Sequence, residues 1–322
     1  MIKEILLFIL GLVFLIGGGE LMVRGAVALS KILSLSAMVI GIVIVGFGTS
    51  VPELMASLFA VLGTAQSPNL HFGNIIGSNI ANILLIIGLT AVINPIIFPA
   101  KPSKRDIAFL ILSLVLLGIG FWKGKIYCWY GAIMAFAMIA YIVWRLKKPE
   151  GNDDEIPELS GLFNNFYFSL FVTVIGIAIM IGSAKLMVES AVKMAQFMGV
   201  SNTFIGLTIV AVGTSLPELT ASVMSALHKR SDMAVGNIIG SNIFNILLIP
   251  GITAIAYFLK DTNVNKFVEI TDNTLLTDFG IMIVVTLVFI AFAYKRRIGR
   301  IAGVAFLIAY AAYTAYTFCA AK

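Results

Sequence analysis

Ten times along its 322 residues this chain stays apolar for about 20 residues, roughly at 5–24, 36–64, 72–97, 106–122, 127–146, 166–190, 201–227, 232–258, 275–294 and 299–319. Each run is long enough to cross the hydrocarbon core of a bilayer as an α-helix. Only 12% of the residues are charged, against about 25% in a soluble domain. In hydrocarbon a segment must satisfy its own backbone hydrogen bonds, and the ten-residue alternation of a barrel is absent. The expected fold class is therefore an all-α polytopic membrane protein with ten transmembrane helices, and the first expected partner is the lipid bilayer. A net charge of +6 would point to nucleic acid in a soluble chain. Here the basic residues flank the spans and read as orientation signals, so no nucleic-acid partner is expected. Cys128 and Cys319 lie far apart in different spans, which implies neither a disulfide framework nor a cysteine metal site.

The chain also repeats itself. GFGTSVPELMAS at 46–57 falls on AVGTSLPELTAS at 211–222, and ELMVRGAV at 20–27 falls on KLMVESAV at 185–192. Further on, GNIIGSNIANILLI at 73–86 matches GNIIGSNIFNILLI at 236–249. The duplication includes the first span, which excludes reading that span as a signal peptide. The expected organisation is a first five-helix repeat at 1–146, a hydrophilic linker at 147–161 and a second five-helix repeat at 162–322. Five is odd, so the second repeat must enter the membrane from the opposite side: two inverted repeats, a transporter design that places a shared site near the midplane. A closed pseudo-symmetric pair inside one chain is expected to work as a monomer. The side holding Arg24, Lys104, Arg105, Arg145, Lys147 and Arg296 is richer in basic residues than the side holding Lys3, Lys125, Lys193 and Lys260. That predicts a cytoplasmic linker and extracellular termini.

Polar residues collect at two places in each repeat. Pro52 has no N–H for the carbonyl of Gly48, and Pro217 none for that of Gly213, so each second span should kink or break. Beside the break, Thr49, Glu53 and Ser57 share a face at i, i+4, i+8, with Ser50 close by; Thr214, Glu218, Ser222 and Ser215 repeat the set. Asn74, Ser78 and Asn82 form a second stripe, repeated as Asn237, Ser241 and Asn245. Free carbonyls, hydroxyls and one carboxylate per repeat are an oxygen-only set, suited to hard cations. The glycines of GNIIGSNI are explained by close helix packing, as GxxxG pairs. The paired glutamates are not, because an ionisable group inside a span is costly and usually functional. Other charges read as structural: Glu20 with Arg24 and Lys185 with Glu189 as helix-end pairs, Asp106 as flanking a span, His71 and His228 as interfacial.

The doubled GxGTSxPE and GSNIxNI phrases resemble the two α-repeats of the cation/calcium exchanger superfamily, in its prokaryotic sodium/calcium exchanger branch. The resemblance implies antiport of Ca²⁺ against Na⁺ through one central site, with no cofactor and no enzymatic activity. It implies that Glu53 and Glu218 coordinate Ca²⁺ and share the Na⁺ sites, and that Thr49 and Thr214 give backbone carbonyls. Ser50, Ser78, Ser215 and Ser241, with the carbonyls of Gly46 and Ala211, would complete the Na⁺ sites, and Asn82 and Asn245 would line the middle. The first and sixth spans would be the moving gate. Some members carry an acid at the position of Asn82 or Asn245; here both are amides, which argues against K⁺ co-transport and leaves two carboxylates. A Ca²⁺/H⁺ antiporter and, more remotely, a cation channel stay open as alternatives. An intramembrane enzyme lacks a mid-span nucleophile.

Overall fold

The expected ends of the first and sixth spans fall short of the helices that form. The computed structural model describes residues 1–62, 68–98, 104–147, 161–199, 211–260, 267–270 and 274–320. Helix α1 runs over Ile2–Ile32, α2 over Ala37–Thr49 and α3 over Val51–Leu62. Helix α4 covers Pro68–Ala81, passes through a π-helical turn at Asn82–Ile87 and ends with Gly88–Ile93. Helices α5 (Lys104–Lys123) and α6 (Cys128–Lys147) complete the first repeat. In the second, α7 spans Phe166–Phe197, α8 Ala211–Thr214 and α9 Leu216–Leu227. Then come α10 at Ser231–Lys260, α11 at Thr274–Tyr294 and α12 at Arg300–Ala320. Among the described residues, eight helices are long and apolar enough to cross a membrane, or nine with the bent α2–α3 pair. The start of the seventh expected span and most of the linker at 147–161 lie outside the described residues.

Side-chain caps start two of these helices: Ser36 accepts from the Val39 N–H at 3.4 Å, and Asn165 from the Phe168 N–H at 3.1 Å. Proline then breaks the second span as expected. Helices α2 and α3 meet at Ser50 with a 40° bend.

The two long helices α1 and α7 lie against each other in opposite directions. Gly11 faces Ser183 and Met187, Gly18 faces Gly176 and Met180, and Gly25 faces Ser169 and Thr173. Numbers rise along one helix as they fall along the other, at intervals of seven residues. A Cβ on Gly18 would sit 2.9 Å from the Gly176 carbonyl oxygen, so the glycines set how close the backbones come.

Among the described residues the helices are joined by four short strands that no sequence pattern announces. β1 (Ile96–Ile97) pairs antiparallel with β4 (Arg297–Ile298), and β2 (Lys125–Tyr127) with β3 (Phe267–Glu269). They join segments that leave helices at the bundle ends, where backbone N–H and C=O groups still need partners. The two pairs exchange roles between repeats: the segment after α4 meets the α11–α12 turn, and the α5–α6 turn meets the segment after α10. That is what a twofold relating the halves requires.

The strands also fix the ends of the bundle. One end gathers 94–98, 226–230 and 296–298, tied by the Asn94 amide donating to the Ala226 carbonyl at 2.5 Å and the Phe98 N–H to the Arg296 carbonyl at 3.0 Å. The other gathers 124–127, 267–270 and the ends of α3 and α10, where Lys260 Nζ donates to the Leu62 carbonyl at 2.7 Å.

Helices α4 and α10 fill the centre and are mostly buried, whereas α1 and α12 are largely exposed. Two polar residues depart from expectation because the bundle closes over them. His71 is buried, its Nε2 3.1 Å from Thr253 Oγ1, rather than interfacial. Asp106 does not flank a span in solvent: it is buried, 3.2 Å from Arg145 Nη2, and accepts from Tyr141 OH at 2.9 Å.

Candidate functional site

Both glutamates sit in the first turn after a break, Glu53 in α3 and Glu218 in α9. A helix start is where a carboxylate is favoured by the free N–H groups and the helix dipole. Each is only 1% exposed. Ser50 of the first repeat donates to Glu218 Oε1 at 3.2 Å, across the repeat boundary. The two repeats therefore contribute to one site. Glu53 Oε2 and Glu218 Oε2 are both buried with no hydrogen-bond partner.

Residues of the Asn/Ser stripes reach the same breaks from α4 and α10: Asn74 bonds the Glu53 carbonyl and Asn237 the Glu218 carbonyl. Ser241 donates to the Gly46 carbonyl at 3.3 Å, and the same carbonyl accepts the Ser50 N–H at 3.2 Å. Thr49 and Ser78 are buried, Thr214 is half-buried, and Ser215 Oγ is buried with no partner. Asn82 donates to Asn242 Oδ1 at 2.9 Å while its own Oδ1 is partnerless. Asn245 has neither amide atom bonded. The Ala211 side chain lies outside the described residues.

Three asparagines do more than sequence spacing conveyed. Spacing alone makes Asn74 and Asn237 stripe members, yet Asn74 Nδ2 donates to the Glu53 carbonyl and to Ser57 Oγ, both at 3.1 Å. Asn237 Nδ2 does the same to the Glu218 carbonyl at 3.2 Å and Ser222 Oγ at 3.0 Å. Asn242, the partner of Asn82, lies outside both stripes. The signal was available, because each is an amide buried in an apolar span and must find partners. Among the described residues no three His, Cys, Asp or Glu side chains cluster as a metal site. Two carboxylates among neutral oxygens leave soft-metal chemistry without ligands and suit a hard cation.

The sodium/calcium exchanger protein family matches residues 3–147 and 168–319. The chain belongs to that family. The exchanger is 31% identical to the sodium/calcium exchanger MaX1 of Methanosarcina acetivorans, over 97% of this chain and 98% of the relative. It is 30% identical to the inner membrane protein YrbG of Escherichia coli, over 90% and 88% of the two chains. Among solved structures it resembles the sodium-calcium exchanger NCX_Mj in a Na⁺ and Sr²⁺ soak, at 30% identity and a TM-score of 0.82, covering 98% of each chain. The exchanger is thus a multi-pass, all-α membrane antiporter of the cation/calcium class, and not an enzyme.

Proposed function

We propose that the exchanger is a secondary active antiporter of Ca²⁺ against Na⁺ that alternates access to one site built on Glu53 and Glu218. The observation that carries this reading is the pair of buried carboxylate oxygens, Glu53 Oε2 and Glu218 Oε2, without a hydrogen-bond donor. Two desolvated anions at one place are expensive unless a cation compensates them. The reading assigns to the same site Thr49, Ser50, Ser78 and Asn82 from one repeat and Thr214, Ser215, Ser241 and Asn245 from the other, which offer only oxygen or amide ligands. The carbonyls of Gly46 and Ala211 are assigned to the same set. No cofactor takes part; Ca²⁺ and Na⁺ are cargo.

The carboxylate count sets the electrical behaviour. One Ca²⁺ neutralises two glutamates, while about three Na⁺ exceed them by one charge, so a full cycle moves charge and responds to voltage at about 2.3 kcal/mol per charge per 100 mV. The same count supplies coupling. An empty, doubly negative site disfavours the switch between inward- and outward-facing states, so the carrier exchanges rather than leaks. The protein acts as a monomer of two inverted five-helix repeats, 1–146 and 162–322. The linker at 147–161 is cytoplasmic and both termini are outside, because the end carrying Arg105, Arg145, Arg230 and Arg296 is the richer in basic residues.

The test is ⁴⁵Ca²⁺ uptake into proteoliposomes driven in turn by Na⁺, K⁺ and pH gradients, at clamped voltages. Uptake driven by Na⁺ alone and accelerated by voltage is expected. Uptake driven equally by a pH gradient would favour the Ca²⁺/H⁺ reading, and uptake needing no counter-ion would favour a channel.

A further inference from the structure

We infer that Asn237 is a positioning residue that locks the two helix breaks to each other across the repeat boundary; this rests on the two-glutamate reading above. Asn237 is fully buried on α10, one turn before Ser241. Its Nδ2 donates to the Glu218 carbonyl at 3.2 Å and to Ser222 Oγ at 3.0 Å, both on α9. Its Oδ1 accepts from Thr49 Oγ1 at 3.3 Å, the last residue of α2. One amide thus holds the first turn after the second-repeat break and the last turn before the first-repeat break. A carbonyl has two lone pairs, so the bond to Glu218 leaves room for the helix ladder. The amide touches neither Glu218 carboxylate oxygen, and it acts on the site through the backbone and the threonine that carry the ligands.

Asn74 is the same letter in the first repeat, and its bonds go to Glu53 and Ser57 on α3, within its own repeat. The fold itself does not depend on the cross-repeat bond. Helices α2 and α10 already meet backbone to backbone, since a Cβ on Gly240 would lie 2.5 Å from the Ile42 carbonyl oxygen. What Asn237 adds is the angle at which the two breaks face each other.

The test measures KM and Vmax for Na⁺-driven ⁴⁵Ca²⁺ uptake, per unit of folded protein. Asn237→Ala loses bonds on both sides and is expected to raise KM about tenfold with Vmax within about twofold. Asn74→Ala is expected to raise KM about threefold. Thr49→Val keeps the backbone carbonyl but deletes a hydroxyl that also lies 3.5 Å from the Gly46 carbonyl oxygen; Asn237→Ala combined with Thr49→Val should lose clearly less than the sum of the two single losses. An unchanged KM in Asn237→Ala, a fall in Vmax only, or additive losses in the double variant would overturn the inference. If Asn237→Ala fails to fold, Ser222→Ala and Thr49→Val each remove one end of the network; both must raise KM, and an unchanged KM in either overturns it. Glu53→Gln and Glu218→Gln separate the two failures. Exchange retained there breaks the two-glutamate reading; exchange lost there with a normal KM in Asn237→Ala breaks only this one.

Discussion

Helices α4 and α10 carry the same GNIIGSNI phrase at the centre of the bundle, but they solve the next two turns by different means. In α4 a π-helical turn opens at Asn82 and closes at Ile87. In α10 the helix stays α-helical throughout, and Pro250, which aligns with Ile87, withholds an N–H from the Ile246 carbonyl. Both devices loosen the backbone ladder at the same depth. Their polar residues then diverge. Asn82 bonds Asn242, whereas its equivalent Asn245 is partnerless. Thr253 meets His71, whereas its equivalent Thr90 has a buried hydroxyl with no partner. The two inverted repeats present equal residues to unequal neighbours, so sequence symmetry does not become hydrogen-bond symmetry.

The largest expected effect would break this contrast at its root. Glu53→Gln and Glu218→Gln should each lower Ca²⁺ exchange at least about a hundredfold while the protein still inserts, because each removes half the compensating charge. Robust ⁴⁵Ca²⁺ uptake in either variant would mean that the carboxylates do not share one site. Next in size is packing in α10. Gly240→Ala forces a Cβ onto the Ile42 carbonyl and should cost about 1–3 kcal/mol, read as a lower detergent melting temperature. Gly17→Ala, on an exposed face with nothing within 4 Å, should stay within about 0.5 kcal/mol.

Smaller differences sharpen the contrast. Asn82→Leu leaves the buried Asn242 Oδ1 without its donor and should cost about 1–2 kcal/mol of stability, read as a lower melting temperature. Asn245→Leu breaks no hydrogen bond and should be neutral or stabilising in thermal unfolding. Equal shifts in the two would erase the difference between α4 and α10. Least of all, Thr253→Val should cost about 1 kcal/mol of stability by losing His71, while Thr90→Val should be neutral or stabilising, since its hydroxyl is unsatisfied. Paired thermal unfolding curves decide it.

Much of the local geometry of the candidate site was legible in the sequence because each signal was local. Pro52 and Pro217 predict their breaks from ring geometry alone, and the spacing of Thr49, Glu53 and Ser57 puts them on one face whatever surrounds them. The partners of Asn237, Asn242 and His71 were not legible. A hydrogen bond between α10 and α2 joins residues 188 positions apart, and no periodicity encodes which of several buried amides meets which hydroxyl. The strands escaped for the same reason: segments of two or three residues carry no pattern, and their pairing exists only once the helix ends are brought together.

By itself the sequence determined the solvent, the helical class, the duplication and the doubled glutamate phrase. Those follow from composition and from repeats with fixed spacing, which act over one or two helix turns. The tertiary structure decided which copy of each residue is bonded and which is left with bare oxygens, as in Asn82 against Asn245. That choice depends on the nearest atom of another helix, and two identical letters facing different helices have different energies.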